Sequence, residues 1–132
     1  MKALDRWRRV GLLLSLLMAI AHCKATPEVR TLDPAILSMQ VDLAEAPLIL
    51  DVRSANEFAA GHIPLALNIP HDELQDRLSE LPTGLDQTIV VHCHAGPRAK
   101  RAEAILVESG YTDVRDLEGH WRGWVQAGRP QQ

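Results

Sequence analysis

Two cysteines, Cys23 and Cys93, are all that the 132 residues contain. They stand far apart, the first in a leader-like segment, which argues against a structural disulfide even in a compartment that would permit one. The chain also lacks an uninterrupted apolar run of the ~20 residues that a transmembrane helix needs. No internal repeat and no low-complexity segment occurs. No histidine, cysteine and carboxylate set shows metal-ligand spacing, so no metal and no other cofactor is expected. Positive charge is short as well, with 14 Lys and Arg against 17 Asp and Glu.

What is present begins with a leader. Lys2, Arg6, Arg8 and Arg9 precede the apolar run Val10 to Ala21, broken only by Gly11 and Ser15. This is the pattern of a signal peptide, and Ala19-Ile20-Ala21 offers a small-x-small cleavage site. The expectation is a signal peptide over residues 1–21, a linker over 22–27 and one domain over 28–130. Export follows, with the periplasm as destination. An uncleaved anchor and lipidation at Cys23 are the alternatives, and only they would bring the domain to a membrane. Cleavage removes four basic residues and Asp5, leaving a net charge of −6. Such an acidic surface excludes nucleic acid as the expected partner.

From about residue 28 strands and helices alternate. Asp33-Pro34 reads as a helix cap with proline at the first helical position, and Ile36, Met39 and Leu43 share one helical face, read as inward. Leu48 to Val52 has the continuous apolar character of a buried parallel strand. Ser54-Ala55-Asn56-Glu57 is a capping box, with Glu57 the reciprocal partner of Ser54 and Gly61 closing the short helix. Ala66 to Ile69 reads as a strand and Leu74, Leu78 and Leu81 as a helix stopped by Pro82 and Gly84. Thr88 to Val91 is the clearest buried strand. A helix after Arg98 places Ala102, Ile105 and Leu106 inward. Tyr111 to Leu117 and Trp121 to Ala127 read as a last strand and a last helix. The alternation predicts an α/β domain with a mainly parallel sheet covered on both faces, and sites in such sheets gather at the strands' carboxyl ends.

Cys93 stands at one of those ends. Residues His94, Ala95, Gly96, Pro97 and Arg98 are poor core material, which favours a nucleophile over a buried small hydrophobe. The strand-to-helix loop offers its amides, a helix N-terminus and Arg98 as positive surroundings, and Gly96 permits backbone angles that turn amides inward. Pro97 lacks an N–H and leaves that cradle one donor short. Lys100 and Arg101 are candidates to add charge.

These segments resemble the single-domain rhodanese (sulfurtransferase) homology domain over roughly residues 28–130. The resemblance rests on Leu50-Asp51-Val52-Arg53 with Glu57-Phe58, on Gly61-His62-Ile63-Pro64 with Ala66 and Asn68-Ile69-Pro70, and on Cys93-x-x-Gly96-x-Arg98. The tail Leu117-Glu118-Gly119-His120-Trp121, Trp124, Ala127-Gly128 and Pro130 completes it. It implies a rhodanese-like α/β fold with a five-stranded central sheet. It also implies that Cys93 accepts a sulfane sulfur as a persulfide, while Arg98 and the amides of residues 94–98 bind a small anion such as thiosulfate. The acceptor would be cyanide, a thiol or a protein. Leu65, Ala99 and His120 depart from the glycine, serine and glycine common in the family, and none of them is expected to touch Cys93, Gly96 or Arg98.

The remaining polar residues are weighed one by one. Asp51 and Arg53 stand near the loop, where either a supporting role or a structural ion pair is open, the ion pair being the expectation. His94 is read as an exposed residue tuning substrate preference, His92 as a core or rim histidine, and His62 as packing. Two rival functions exist. Cysteine-dependent phosphatases place five residues between cysteine and arginine, and the four here disfavour that reading. A persulfide carrier or partner-binding module with little turnover is the other.

Overall fold

The computed structural model describes residues 27–132. The signal peptide, the cleavage site, Cys23 and most of the 22–27 linker lie outside the described residues. Five parallel strands form one sheet in the order β1-β5-β4-β2-β3, with β1 at Arg30–Leu32, β2 at Leu48–Asp51, β3 at Leu67–Asn68, β4 at Thr88–His92 and β5 at Asp113–Leu117. Among the described residues three α-helices lie between strands, α1 (Pro34–Asp42), α2 (Ala55–Ala59) and α3 (Pro97–Glu108), and α4 (His120–Gln126) follows β5. The α/β architecture read from the alternating pattern is the one observed.

The continuous apolar runs explain why the sheet is covered on both faces. Alternate residues of β2 and β4 enter two different cores. Leu50, Ile89 and Val91 join Ala102, Leu106 and Val114 beneath α3. Ile49 and Val90 join Leu37, Ile63, Leu117 and Trp124 on the side of α1 and α4. Cys93 belongs to the α3 side. Trp124 is fully buried and donates its indole N–H to Pro130 O at 2.7 Å, which ties the tail down.

The caps act as expected. Asp33 accepts the Ala35 N–H at 2.7 Å, with Pro34 opening α1. Ser54 and Glu57 form both halves of a capping box on α2. Two readings are corrected. Ile36, Met39 and Leu43 are 46, 55 and 60 % exposed, while Leu37 is buried and Val41 packs beside it. Both sets satisfy helical spacing, and the way the chain leaves β1 at the buried Leu32 selects the second. The Leu74–Glu80 segment is a 3-10 helix broken at Arg77, which binds Glu73 and Glu80 at 2.7 and 2.8 Å. β1 has only one buried residue of three, too short a signal for a pattern search.

Two buried polar groups oppose each other in pH. Burial, partly offset by Asp51 at 3.6 Å, pushes His92 down to about 4. Burial and the nearby Asp116 carboxylate push Glu103 up to about 7. The lowered histidine contributes stability that is present above its ordinary value of 6.5 and lost as pH falls toward 4. The raised carboxyl contributes stability present below 4.5 and lost as pH rises toward 7. Each amounts to at most about 3 kcal/mol, over nearly the same window and with opposite sign. Glu103→Gln should therefore give a protein whose urea midpoint climbs from pH 4.5 to 6.5 more steeply than wild type. His92→Asn should give the reverse slope.

Candidate functional site

Cys93 follows the last residue of β4 directly, and Pro97 opens α3. Three residues must therefore turn the chain, and the three carbonyl groups that lead into the turn are engaged by donors from other elements. His92 O accepts from Val52 N–H at 3.0 Å, Cys93 O from Trp121 N–H at 3.0 Å, and His94 O from Arg122 N–H at 3.1 Å. The last two donors are first-turn amides of α4, which has no use for them internally. With those oxygens engaged, the turn aims the Gly96 N–H at Cys93 Sγ, 3.0 Å away.

Gly96 is the helix cap, with φ 122° and no side-chain cap bond. A side chain is disfavoured there twice over: the backbone is left-handed, and a Cβ would lie 3.0 Å from His120 Nε2, which would have to give way. The sulfur thus faces the uncapped N-terminus of a twelve-residue helix, where partial positive charge accumulates. Cys93 has no exposed surface, whereas His94, Ala95 and Pro97 are exposed. The structure brings Cys93, His94, Ala95, Gly96, Pro97 and Arg98 together as one turn.

The positive charge is distributed differently from the expectation. Arg98 grips Glu57 with two bonds, Nη1 to Oε2 at 2.6 Å and Nη2 to Oε1 at 2.9 Å. Glu57 is also the capping partner of Ser54, so α2 and the loop are clamped through one carboxylate. Arg98, foremost among several hydrogen bonds, lowers Glu57 to about 2, and the pair stays ionised at any ordinary pH. The capping motif revealed only half of what Glu57 does, because its second partner is 41 positions away. Lys100 does not add free charge to the site, a correction: its ammonium sits 3.1 Å from Asp116 and 3.2 Å from Glu103.

Asp51 and Arg53 form a buried pair with 0 and 2 % side-chain exposure. Asp51 accepts the Arg53 Nε–H, Nη2–H and backbone N–H, and the guanidinium continues to Gly61 O and lies 4.4 Å from the centre of the Trp121 ring. This pair holds the carboxyl end of β2 and the start of α4, one layer behind the loop. His62 stacks on Phe58 at 3.8 Å. His92 is fully buried, with Nδ1 3.3 Å from Cys93 O. His120 overturns the expectation that no family departure touches the loop, since its imidazole lies against Gly96. A cleft of about 620 Å³ opens at the opposite end of the sheet, lined in part by Leu48, Thr88 and Arg115, and holds no residue of the loop.

Glu57→Gln tests the clamp. Both side chains are about a third exposed, so the loss should be about 1 kcal/mol in denaturant unfolding. The loss should shrink as pH falls toward 2, where Glu57 itself becomes neutral.

With this geometry in view, the relatives are informative. Residues 37–127 match the family model of the rhodanese-like domain. A sulfurtransferase of Allochromatium vinosum is 35% identical over 102 residues, which cover 77% of this chain and 94% of the relative. The human thiosulfate:glutathione sulfurtransferase is 37% identical over 90 residues, covering 59% of this chain and 78% of its own. A solved human single-domain sulfurtransferase superimposes with a TM-score of 0.66 at 31% identity, over 75% of this chain and 97% of that one. The parallel five-stranded sheet with a cysteine turn at the end of its central strand has a plain family assignment: the chain belongs to the rhodanese-like domains, with sulfurtransferases among its relatives.

Proposed function

We propose that this protein is a sulfurtransferase that carries a sulfane sulfur on Cys93. The observation that carries the reading is the Gly96 N–H directed at Sγ from 3.0 Å, at the N-terminus of α3. Such a donor favours sulfur in its anionic form, which is the nucleophile.

In the first step the Cys93 thiolate attacks the outer sulfur of thiosulfate. The Cys93 S–S bond forms, the S–S bond of thiosulfate breaks, and sulfite departs with the bonding electron pair. In the second step a thiophilic acceptor, such as cyanide or a thiol, attacks the terminal sulfur and returns Cys93 to thiolate. No external oxidant or reductant enters. The amides of the turn would hold the terminal persulfide sulfur as the Gly96 N–H holds Sγ. Because Lys100 is already paired with carboxylates, anion binding would rest on the amides, on the dipole of α3 and on Arg98, which interacts with the Cys93 sulfur as well as with Glu57. His94, exposed beside the nucleophile, would meet the donor or the acceptor. Relatives named for thiosulfate support that donor class. The leader read from residues 1–21 supports an exported, periplasmic protein, which N-terminal analysis of the mature chain would test.

Thiosulfate treatment should add the mass of one sulfur to the Cys93 peptide, and added cyanide should then release thiocyanate. Cys93→Ser should abolish both. Persulfide without thiocyanate would assign the protein to sulfur carriage to another acceptor. No gain of sulfur at Cys93 would end the proposal.

A further inference from the structure

His120 is a buried imidazole with no role in the chemistry above. It follows Gly119 at φ 51°, a left-handed conformation that a non-glycine residue adopts at a cost. It is 9 % exposed, and its Nδ1 is buried with no hydrogen-bond partner. Its other nitrogen, Nε2, lies 3.6 Å from Asp116 Oδ1 and 3.0 Å from the position a Gly96 Cβ would take. A strained, desolvated ring is therefore packed on the one residue whose N–H holds Cys93 Sγ.

We infer that His120 is a positioning residue for Cys93: its ring backs Gly96 and thereby keeps the Gly96 N–H aimed at the sulfur. The inference rests on the reading of Cys93 as the reactive thiol and deepens it. Three features support a wedge over mere filling. Gly96 has no side chain of its own to fix the peptide, and at φ 122° it is free to rotate unless a neighbour stops it. The adjoining amides of Trp121 and Arg122 already fix the carbonyls of Cys93 and His94, and the ring adds a restraint at the Cα of Gly96. The ring is itself confined by burial and lies beside Asp116, which is anchored to α3 through Lys100 at 3.1 Å.

The groups that face His120 come from three elements: Asp116 on β5, Lys100 on α3 and His92 on β4. Burial, with help from Lys100, holds the imidazole below its ordinary value, against the pull of Asp116. At neutral pH the ring acts as an uncharged wedge. Its effect on the thiolate is then geometric, through one hydrogen bond, and not the field of a second cation.

The experiment is a pH titration of the thiolate ultraviolet band in the full chain, taken as the difference from Cys93→Ser so that Cys23 cancels. His120→Gly should raise the midpoint by about one pH unit, a roughly tenfold smaller thiolate fraction on the acid side. Its thermal midpoint should stay level or rise, because glycine adopts the left-handed backbone freely. That combination of a firmer fold and a weaker thiolate is not what a filling residue produces. His120→Gln, which reaches about as far as Nε2, should restore much of the wild-type midpoint. Leu37→Ala, a core truncation in α1, should lower the thermal midpoint and leave the titration unchanged. An unaltered titration in His120→Gly, or an equal shift in Leu37→Ala, overturns the inference. If the shift is found while thiosulfate leaves Cys93 unmodified, the positioning role stands and the sulfurtransferase reading falls.

Discussion

A single N–H···S contact organises this molecule's reactive end. Gly96 can direct its amide at Cys93 only because the carbonyls of His92, Cys93 and His94 each have a donor elsewhere. Those donors come from β2's end and from α4, elements that are distant in sequence. A short turn left to itself would let carbonyl oxygens swing toward the sulfur, and the electrostatics would reverse. The parallel sheet supplies the first restraint and the packing of α4 across the sheet supplies the others. The fold is thus the means by which one peptide plane is held.

Charge in the site follows from the same economy of restraint. A protein with an acidic balance needs local positive character to receive an anion, and Arg98 and Lys100 are side-chain sources that follow the turn directly in sequence. Both are committed to carboxylates, Arg98 to Glu57 and Lys100 to Asp116 and Glu103. Arg98 clamps the loop to α2 while its charge still reaches the Cys93 sulfur, and Lys100 ties α3 to β5. What stays uncommitted is the set of first-turn amides of α3, which have no intrahelical partners by construction. Amides and a helix dipole bring no flexible side chain to immobilise and no counter-ion to displace. They suit a sulfur atom whose charge changes little between thiolate and persulfide.

The sequence was legible where local rules decide. The Asp33-Pro34 cap, the Ser54–Glu57 box and the apolar runs of β2 and β4 all follow from near neighbours, and the structure contains them. The turn after Cys93 was legible from composition, since His94 to Arg98 are poor core material. Where two answers satisfy one rule, the sequence was silent. Ile36, Met39 and Leu43 fit helical spacing as well as Leu37 and Val41 do, and only the packing of β1 and the sheet separates them. Contacts across long separations were out of reach: Arg98 with Glu57, Lys100 with Asp116, and His120 with Gly96. Each alters what the residue contributes, so the site's members were readable while their division of labour was not.

Two departures from the family's glycines sharpen that point. Leu65 and His120 both occupy left-handed backbone, with φ 68° and 51°. Such residues cost of order 1 kcal/mol or more and persist only where their surroundings fix them. The two are not equivalent. Leu65 is 61 % exposed, so its side chain returns little to offset the strain, and nothing in the structure explains its choice. His120 is buried against the loop, shares Asp116 with α3, and leaves a nitrogen without a partner. A second cost, an unsatisfied buried polar atom, is thus added to the first. A residue that costs stability in two ways and touches the one amide on which Cys93 depends is held there by more than packing.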